Sequence, residues 1–382
     1  MLKRTYIFTL ISCAVLTTVS IAIAQRDSFI KIEGPTLRVR IDSAVRQARS
    51  AGQPFFWTAY SFDVRPGVAV DVELTDFRGS TNTISDTSIS IGTSHGVKIE
   101  TRNLGIFLLH DGNANRITRL EVYNLERQRE YSRYPVYWLG RGSNEESLTL
   151  LKGLVSPEQQ LKVGEHAVMA IGLHDDPQVS AILKDFIRSS ARDQVRSSSV
   201  FWLGQIGGEQ AFLAELVRGD RESVEFRKKA AFAIGVSKDA TALFTLKGLY
   251  GEVTHREIKR QIIFAASINE NKDQAIDFLI SIAANDPDTE CKKQALFWLG
   301  QRAGDRSLKV LGDVASSTDA DTEVQKQAVF AISRRPKDEA IPLLIKIART
   351  HPKAEVRKQA LFWLGLSGDE RALELFKEIL TK

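Results

Sequence analysis

The chain has 382 residues, 43% apolar and 26% charged, with a formal net charge of +5. That composition excludes a globally disordered polymer, and the charge surplus is too small to argue for a nucleic-acid partner. The length admits two or three domains or one elongated array.

The first 24 residues read as an export signal. Lys3 and Arg4 form a positive start, Tyr6 to Ile21 is apolar and uncharged, and Ala22-Ile23-Ala24 offers a small-x-small cleavage pattern before Gln25. The expected location is therefore exported, periplasmic or otherwise extracytoplasmic. Two membrane-anchored alternatives stay open: lipidation at Cys13 within Leu10-Ile11-Ser12-Cys13, or retention of residues 6–24 as an anchor. Cleavage would remove Lys3 and Arg4, lowering the charge from +5 to +3, and would leave Cys291 as the one cysteine, so no internal disulfide is expected. Cys291 occupies a repeat position held elsewhere by Val, Ile or Phe and reads as a small buried hydrophobe.

Residues 25–130 are expected to form a small β-rich domain, an antiparallel sheet with one helix. Ser43 to Ala51 reads as the helix. Phe55-Trp57-Ala59 and Val68-Val70-Val72-Leu74 read as strands flanking the turn Val64-Arg65-Pro66-Gly67. Ser80 to Thr93 is rich in Ser and Thr, with a period-two stretch at Ile89 and Ile91. Leu104–Leu109 and Ile117–Tyr123 form a predicted hairpin across His110-Asp111-Gly112-Asn113. Such a domain could cover the open first end of a repeat array.

Residues 131–382 repeat. Phe-Trp-Leu-Gly or a variant returns eight times, ending at Gly140, Gly172, Gly204, Gly235, Ser267, Gly300, Ser333 and Gly365, with spacings of 31 to 33 residues. So regular a period predicts stacked copies of one unit. In the last copy, Val356 to Gly365 reads as a first helix, an acidic turn follows, and Arg371 to Leu380 reads as a second helix carrying Ala372, Leu375, Phe376 and Ile379 at helical spacing. Glycine at the end of the first helix is expected to take the left-handed conformation, with less clean helix ends at Ser267 and Ser333. The pattern Val-Arg-x-x-Ala-x-x-x-Leu-Gly, an acidic turn and a second apolar helix resembles the short HEAT repeat of phycobilin-lyase-type bacterial proteins. The resemblance implies a mainly α fold, a right-handed α-solenoid of about eight helix pairs. It also implies protein binding more often than help with cofactor attachment.

With the first helix numbered from 1 at Val356 to 10 at Gly365, positions 1, 5, 8 and 9 share one arc and predict the core. Position 8 is Trp138, Trp202, Trp298 and Trp363 in four copies and Ala in the others, large beside small, and reads as packing. Position 7 lies roughly opposite that arc and holds Tyr137, Met169, Phe201, Phe232, Phe264, Phe297, Phe330 and Phe362. Position 3 is mostly basic, with Arg133, Lys228, Arg260, Lys293, Lys326 and Lys358. Position 4 is Gln261, Gln294, Gln327 and Gln359 in the later copies. In HEAT-like arrays this helix lines the concave face. Two readings of the Phe row stand: wedges buried between neighbouring helices, or an apolar stripe with a basic flank receiving an acidic or aromatic partner segment.

None of the six histidines, His95, His110, His166, His174, His255 and His351, pairs with another at metal-ligand spacing, and a lone cysteine cannot build a zinc site. No metal, cofactor or nucleic-acid partner and no catalytic residues are expected. His174-Asp175-Asp176 reads as a capping turn. Gly204-Gln205-Ile206-Gly207-Gly208 links helices and is a poor nucleotide loop. The expected function is an exported scaffold binding another protein. The alternatives are a lyase-like accessory factor and an envelope protein that self-associates as a homodimer through its last repeat.

Overall fold

A computed structural model describes residues 29–70, 77–84, 87–94, 97–98, 100–301, 304–317 and 321–381. The expected export segment, Cys13, Val72, Leu74 and His95 lie outside the described residues. The chain forms two compact units, one ending at Leu203 and one beginning at Gly204.

The first unit opens with β1 (Ile30–Lys31), α1 (Leu37–Ser50) and β2 (Phe55–Ser61). Then follow β3 (Ala69–Val70), β4 (Phe77–Ile84), β5 (Thr87–Ser94), β6 (Val97–Lys98), β7 (Leu104–Asp111), β8 (Arg116–Asn124) and β9 (Val136–Arg141). The predicted hairpin is β7–β8, registering Leu104 with Asn124. Strands β4 and β5 pair antiparallel, beside β3. The turn at residues 64–67 does not make a hairpin: β2 joins the sheet β1-β9-β2-β7-β8, while β3 joins the other sheet.

The copy ending at Gly140 is a strand, not a helix, and it makes the larger sheet mixed: β9 runs parallel to both β1 and β2. The reason is Pro135, which occupies position 5 of that copy. A mid-helix proline has no N–H to give and collides with the preceding turn. In the strand setting the Pro135 carbonyl accepts the Trp57 amide at 2.9 Å, and Gly140 takes a φ of 74° that its helical counterparts do not need. Trp57, Phe107, Tyr123 and Val136 form the core of one sheet face, with Trp138 half-buried against it.

Helices follow: α2 (Asn144–Leu154), α3 (Leu161–Gly172), α4 (Gln178–Ser189) and α5 (Asp193–Ile206). Ser143 and Glu146 form a capping box on α2, and Glu146 also accepts the Leu37 amide at the start of α1. The sheet is fastened to these helices by buried polar groups. Tyr60 donates to Ser147 at 2.9 Å, Ser147 donates to His174 Nε2 at 2.8 Å, and His174 Nδ1 donates to the Ala170 carbonyl at 2.7 Å. The His174 ring stacks on Phe62, 4.4 Å between centroids. His110 is buried in the sheet against Thr58 at 2.8 Å and stacks on Phe56. His166 Nδ1 lies 2.5 Å from the Leu120 carbonyl.

The second unit continues through α6 (Gln210–Arg218), α7 (Val224–Val236), α8 (Ala242–Glu252), α9 (Arg256–Ile268), α10 (Lys272–Asn285) and α11 (Thr289–Gly300). It ends with α12 (Asp305–Ser316), α13 (Thr322–Ser333), α14 (Lys337–Thr350), α15 (Ala354–Ser367) and α16 (Glu370–Thr381). First and second helices alternate in a helical repeat solenoid, as expected. Among the described residues seven helix pairs follow from α3 onward, and α2 stands as a second helix whose first partner has become β9.

The glycines at position 10 do different work from the one expected. Gly172, Gly204, Gly235, Gly300 and Gly365 all lie inside helices with negative φ; the left-handed residues at these ends are Gly207, Gly208 and Gly368. Position 10 is where consecutive first helices touch. A Cβ on Gly235 would sit 2.6 Å from the Ala265 carbonyl oxygen, and one on Gly300 would sit 2.8 Å from that of Ala331. Gly204 meets the Ala233 backbone in the same way. At Gly365 the nearest atom is Phe376 Cζ at 3.8 Å, an ordinary contact.

The caps come from elsewhere. Position 2 donates to the last carbonyls of the preceding second helix: Arg196 to Ile187 at 2.8 Å, Arg227 to Val217 at 2.7 Å and Arg357 to His351 at 2.7 Å. Lys292 reaches Ala284 at 3.3 Å, and Gln325 reaches Ser317. A cation at a helix C-terminus satisfies orphan carbonyls and opposes the macrodipole.

Gly235→Ala should destabilise the protein by about 3 kcal/mol through overpacking. Gly365→Ala should instead stabilise it by roughly 0.5–1 kcal/mol through helix propensity. Urea midpoints of the two variants check the opposite signs.

Burial lowers the imidazoles of His110 and His174 to about 4, with Arg49 adding to the effect at His110. In the unfolded chain both titrate near an ordinary 6.5. Between those values the unfolded state binds more protons, so stability is intact above about pH 6.5 and falls as the pH drops toward 4. The slope is about 1.4 kcal/mol per pH unit per histidine. Urea midpoints measured across this window should show the fall, and His174→Gln should flatten it.

Candidate protein-interaction surface

The position-7 side chains divide: Tyr137 and Met169 are buried, whereas the Phe residues that follow are not buried wedges. Phe201, Phe232, Phe264, Phe297 and Phe330 are half-buried, and Phe362 is 56% exposed. Phe201, in the first unit, lies edge-on to Trp202 at 5.6 Å. In the second unit the rings form a continuous row. Phe232 stacks on Phe264 at 6.0 Å, and Phe264 meets Trp298 at 5.1 Å. Trp298 meets Phe297 at 4.9 Å, and Phe297 stacks on Phe330 at 6.3 Å. Phe330 meets Trp363 at 5.2 Å, and Trp363 meets Phe362 at 5.0 Å.

Position 8 therefore has two fates, where the sequence predicted one. Trp202 is fully buried, seated over Gly172, where an added Cβ would lie 2.5 Å from the indole. Trp298 and Trp363 follow repeats with serine, not glycine, at position 10. Without that vacancy their indoles lie across Phe264 and Phe330 and remain half-buried in the aromatic row. Their indole N–H groups are buried without a hydrogen-bond partner among the described residues. Ser267 and Ser333 turn back instead, donating to the carbonyls of Phe264 and Phe330 at 2.7 Å.

The basic flank is also not a free positive stripe. Lys228 pairs with Glu225 at 3.0 Å, Arg260 with Glu257 at 3.2 Å, Lys293 with Glu290 at 2.9 Å and Lys326 with Glu323 at 2.9 Å. Each acid lies three residues earlier on the same helix, so the flank is charge-balanced repeat by repeat. Lys358 is exposed at the equivalent place. Pairs of this kind contribute only about 0.2–0.5 kcal/mol each. The missed signal was Glu at position 0, which is legible in the sequence at helical spacing.

Other predicted groups sit in structural roles. Asp176 accepts the Gln178 amide at 2.9 Å as a cap. Cys291 is buried, and burial pushes its thiol up; nearby, Tyr250 donates to Asp286 at 2.6 Å. A depression of about 560 Å³ in the second unit is lined by residues including Lys292, Asp313 and Asp321. Among the described residues no three His, Cys, Asp or Glu side chains converge as a metal site, and no helix is long and apolar enough to cross a membrane. On the last repeat, Leu366 and Leu380 are the most exposed apolar side chains, at 65% and 85%.

A model of HEAT repeats matches residues 308–382. The comparison with curated proteins gives no match. Among solved structures, human deoxyhypusine hydroxylase in complex with glycerol is 16% identical over 59% of this chain and 96% of its own, with a TM-score of 0.29. The structure of YibA from E. coli is 17% identical over 58% and 82%, with a TM-score of 0.32. An engineered protein is 18% identical over 60% and 98%, with a TM-score of 0.25. At that identity and overlap these likenesses bear on no activity.

The two fates of position 8 carry different energies. Trp202→Ala should cost about 3–5 kcal/mol, the range for a fully buried large side chain. Trp363→Ala should cost less than half of that. Chemical denaturation of the two variants side by side checks the order.

Proposed function

We propose that this HEAT-repeat chain is a protein-binding scaffold whose partner docks along the first helices of the second unit, on the row from Phe232 to Phe362. The observation that carries the reading is the continuity of that row. Seven rings touch in sequence across five repeats yet keep part of their surface in water. A contiguous exposed apolar strip is costly in a protein that makes no use of it, and aromatic anchors within a polar rim are the usual centre of a binding interface. Export through residues 1–24 is part of the proposal and makes the partner an extracytoplasmic protein.

The exposed apolar residues of α15 and α16 favour a second reading, self-association through the last repeat.

Crosslinking in intact cells tests the scaffold reading. Changing Phe232, Phe264 and Phe297 together to Ser should leave the helical signal in place and reduce partner crosslinks at least about ten-fold, as expected for loss of hot-spot anchors. A folded triple variant that keeps every crosslink overturns the proposal. Crosslinks between copies of this chain that survive the triple variant would instead support self-association.

A further inference from the structure

The second helices of the second unit can be compared place by place. A buried small residue marks the same place in each: Ala242 in α8, Ala275 in α10, Ser307 in α12, Ala340 in α14 and Ala372 in α16. Two residues after the marker, the last four helices expose Asp277, Lys309, Pro342 and Glu374. Four residues further on they carry Ser281, Asp313, Lys346 and Glu378. In α8 the same two places hold Phe244, 79% exposed, and Gly248. In α6, with Gln210 as the buried marker, they hold Phe212 and Leu216, both half-buried. Helix α8 packs between α6 and α10, and Ile276 and Ile280 of α10 are half-buried. At this stretch an apolar patch replaces the polar outer surface of the other repeats.

The glycines beside Phe244 have no use inside the chain. A Cβ on Gly251 would meet nothing within 4 Å, and one on Gly248 would reach only Glu252 Oε1 at 4.0 Å. Neither glycine takes a positive φ. Glycine within a helix is less favourable than alanine, so neither packing nor backbone geometry accounts for them. At 100° per residue Phe244, Gly248 and Gly251 lie on one exposed face of α8. The two glycines stand about 6 and 10.5 Å along the axis from the phenylalanine.

We infer that this face docks a second copy of the chain. Helix α8 of one copy lies antiparallel on α8 of the other across a two-fold axis, and each Phe244 fills the hole that its partner leaves at Gly248 and Gly251. The inference goes beyond the scaffold reading, which concerns the first helices. Self-complementarity selects the occupant. An unrelated partner would need a knob or a hole, whereas a two-fold contact needs both on one face and closes after two copies. On the rim, Arg218 pairs with Glu252 and Arg306 with Asp277 within one chain, so an identical rim can approach without those charges being left unpaired.

Size sets the strength. Helices α6, α8 and α10 have 9, 11 and 14 residues. At about 1.5 Å per residue and 8–10 Å between axes, their outer face measures roughly 17 by 28 Å, or about 950 Å² for two copies. Weak, reversible interfaces have that size, and permanent ones are larger.

Sedimentation equilibrium of the full chain from about 1 to 200 µM, the range of a weak interface, tests the inference. The average mass should rise with concentration toward that of two chains. Phe244→Asp should keep its melting temperature and weaken the dimer at least about ten-fold, as for a lost anchor. Gly248→Leu adds apolar surface but fills the hole, and should weaken the dimer by a similar factor. The variant Leu373→Asp/Leu380→Asp, on the last repeat, should leave it unchanged. A strict monomer throughout, a dimer that survives Phe244→Asp, or one that Gly248→Leu leaves alone or strengthens overturns the inference. Loss of the dimer in the Leu373→Asp/Leu380→Asp variant moves the contact to the last repeat and overturns it as well.

Discussion

The contact on which the second unit depends is that of one first helix's backbone against the next at position 10. Gly204, Gly235 and Gly300 let Ala233, Ala265 and Ala331 come so close that no Cβ fits between. Close-packed interiors do not tolerate a displaced methyl group cheaply, so this contact sets the register of neighbouring repeats. Once the register is set, side chains at position 7 of successive helices are brought to stacking distance, as Phe232 and Phe264 are at 6.0 Å. The aromatic row is thus a consequence of glycine and alanine beneath it.

Where the glycine is absent the same logic runs in reverse. Ser267 and Ser333 fill the vacancy that receives an indole at Gly172, and Trp298 and Trp363 move into the row and bridge one Phe pair to the next. Helix ends are handled separately, by position-2 donors that reach back to the preceding second helix, as Arg227 does to Val217. One sequence signature therefore divides its labour. Position 2 closes helix ends, position 10 sets the approach of helices, and positions 4 and 7 are left for the surface.

Much of this was legible in the chain. The period alone predicts stacked helix pairs, because apolar side chains recurring at helical spacing in register can stay dry only against a neighbouring copy. The β7–β8 hairpin was equally legible from two alternating runs around Asp111-Gly112. The Tyr137-Trp138-Leu139-Gly140 copy carries the motif but not the helix, because Pro135 stands at its fifth position, where a proline forbids one. The glycine rule misled for a subtler reason. Helix-capping and close-approach glycines leave the same letter in the sequence, and only the neighbour's position tells them apart. The parallel pairing of β9 with β1 and β2, across more than seventy intervening residues for β2, leaves no local trace at all.

The sequence by itself determined the repeat, its helical period and the identity of the residues offered on each face, because those follow from chain-local geometry and from which side chains water rejects. Only the tertiary structure decided which indoles sink and which surface. It also decided that the rings join into one row. These outcomes depend on distances between helices, and such distances are set by the sum of packing contacts across repeats, which no single stretch of chain contains.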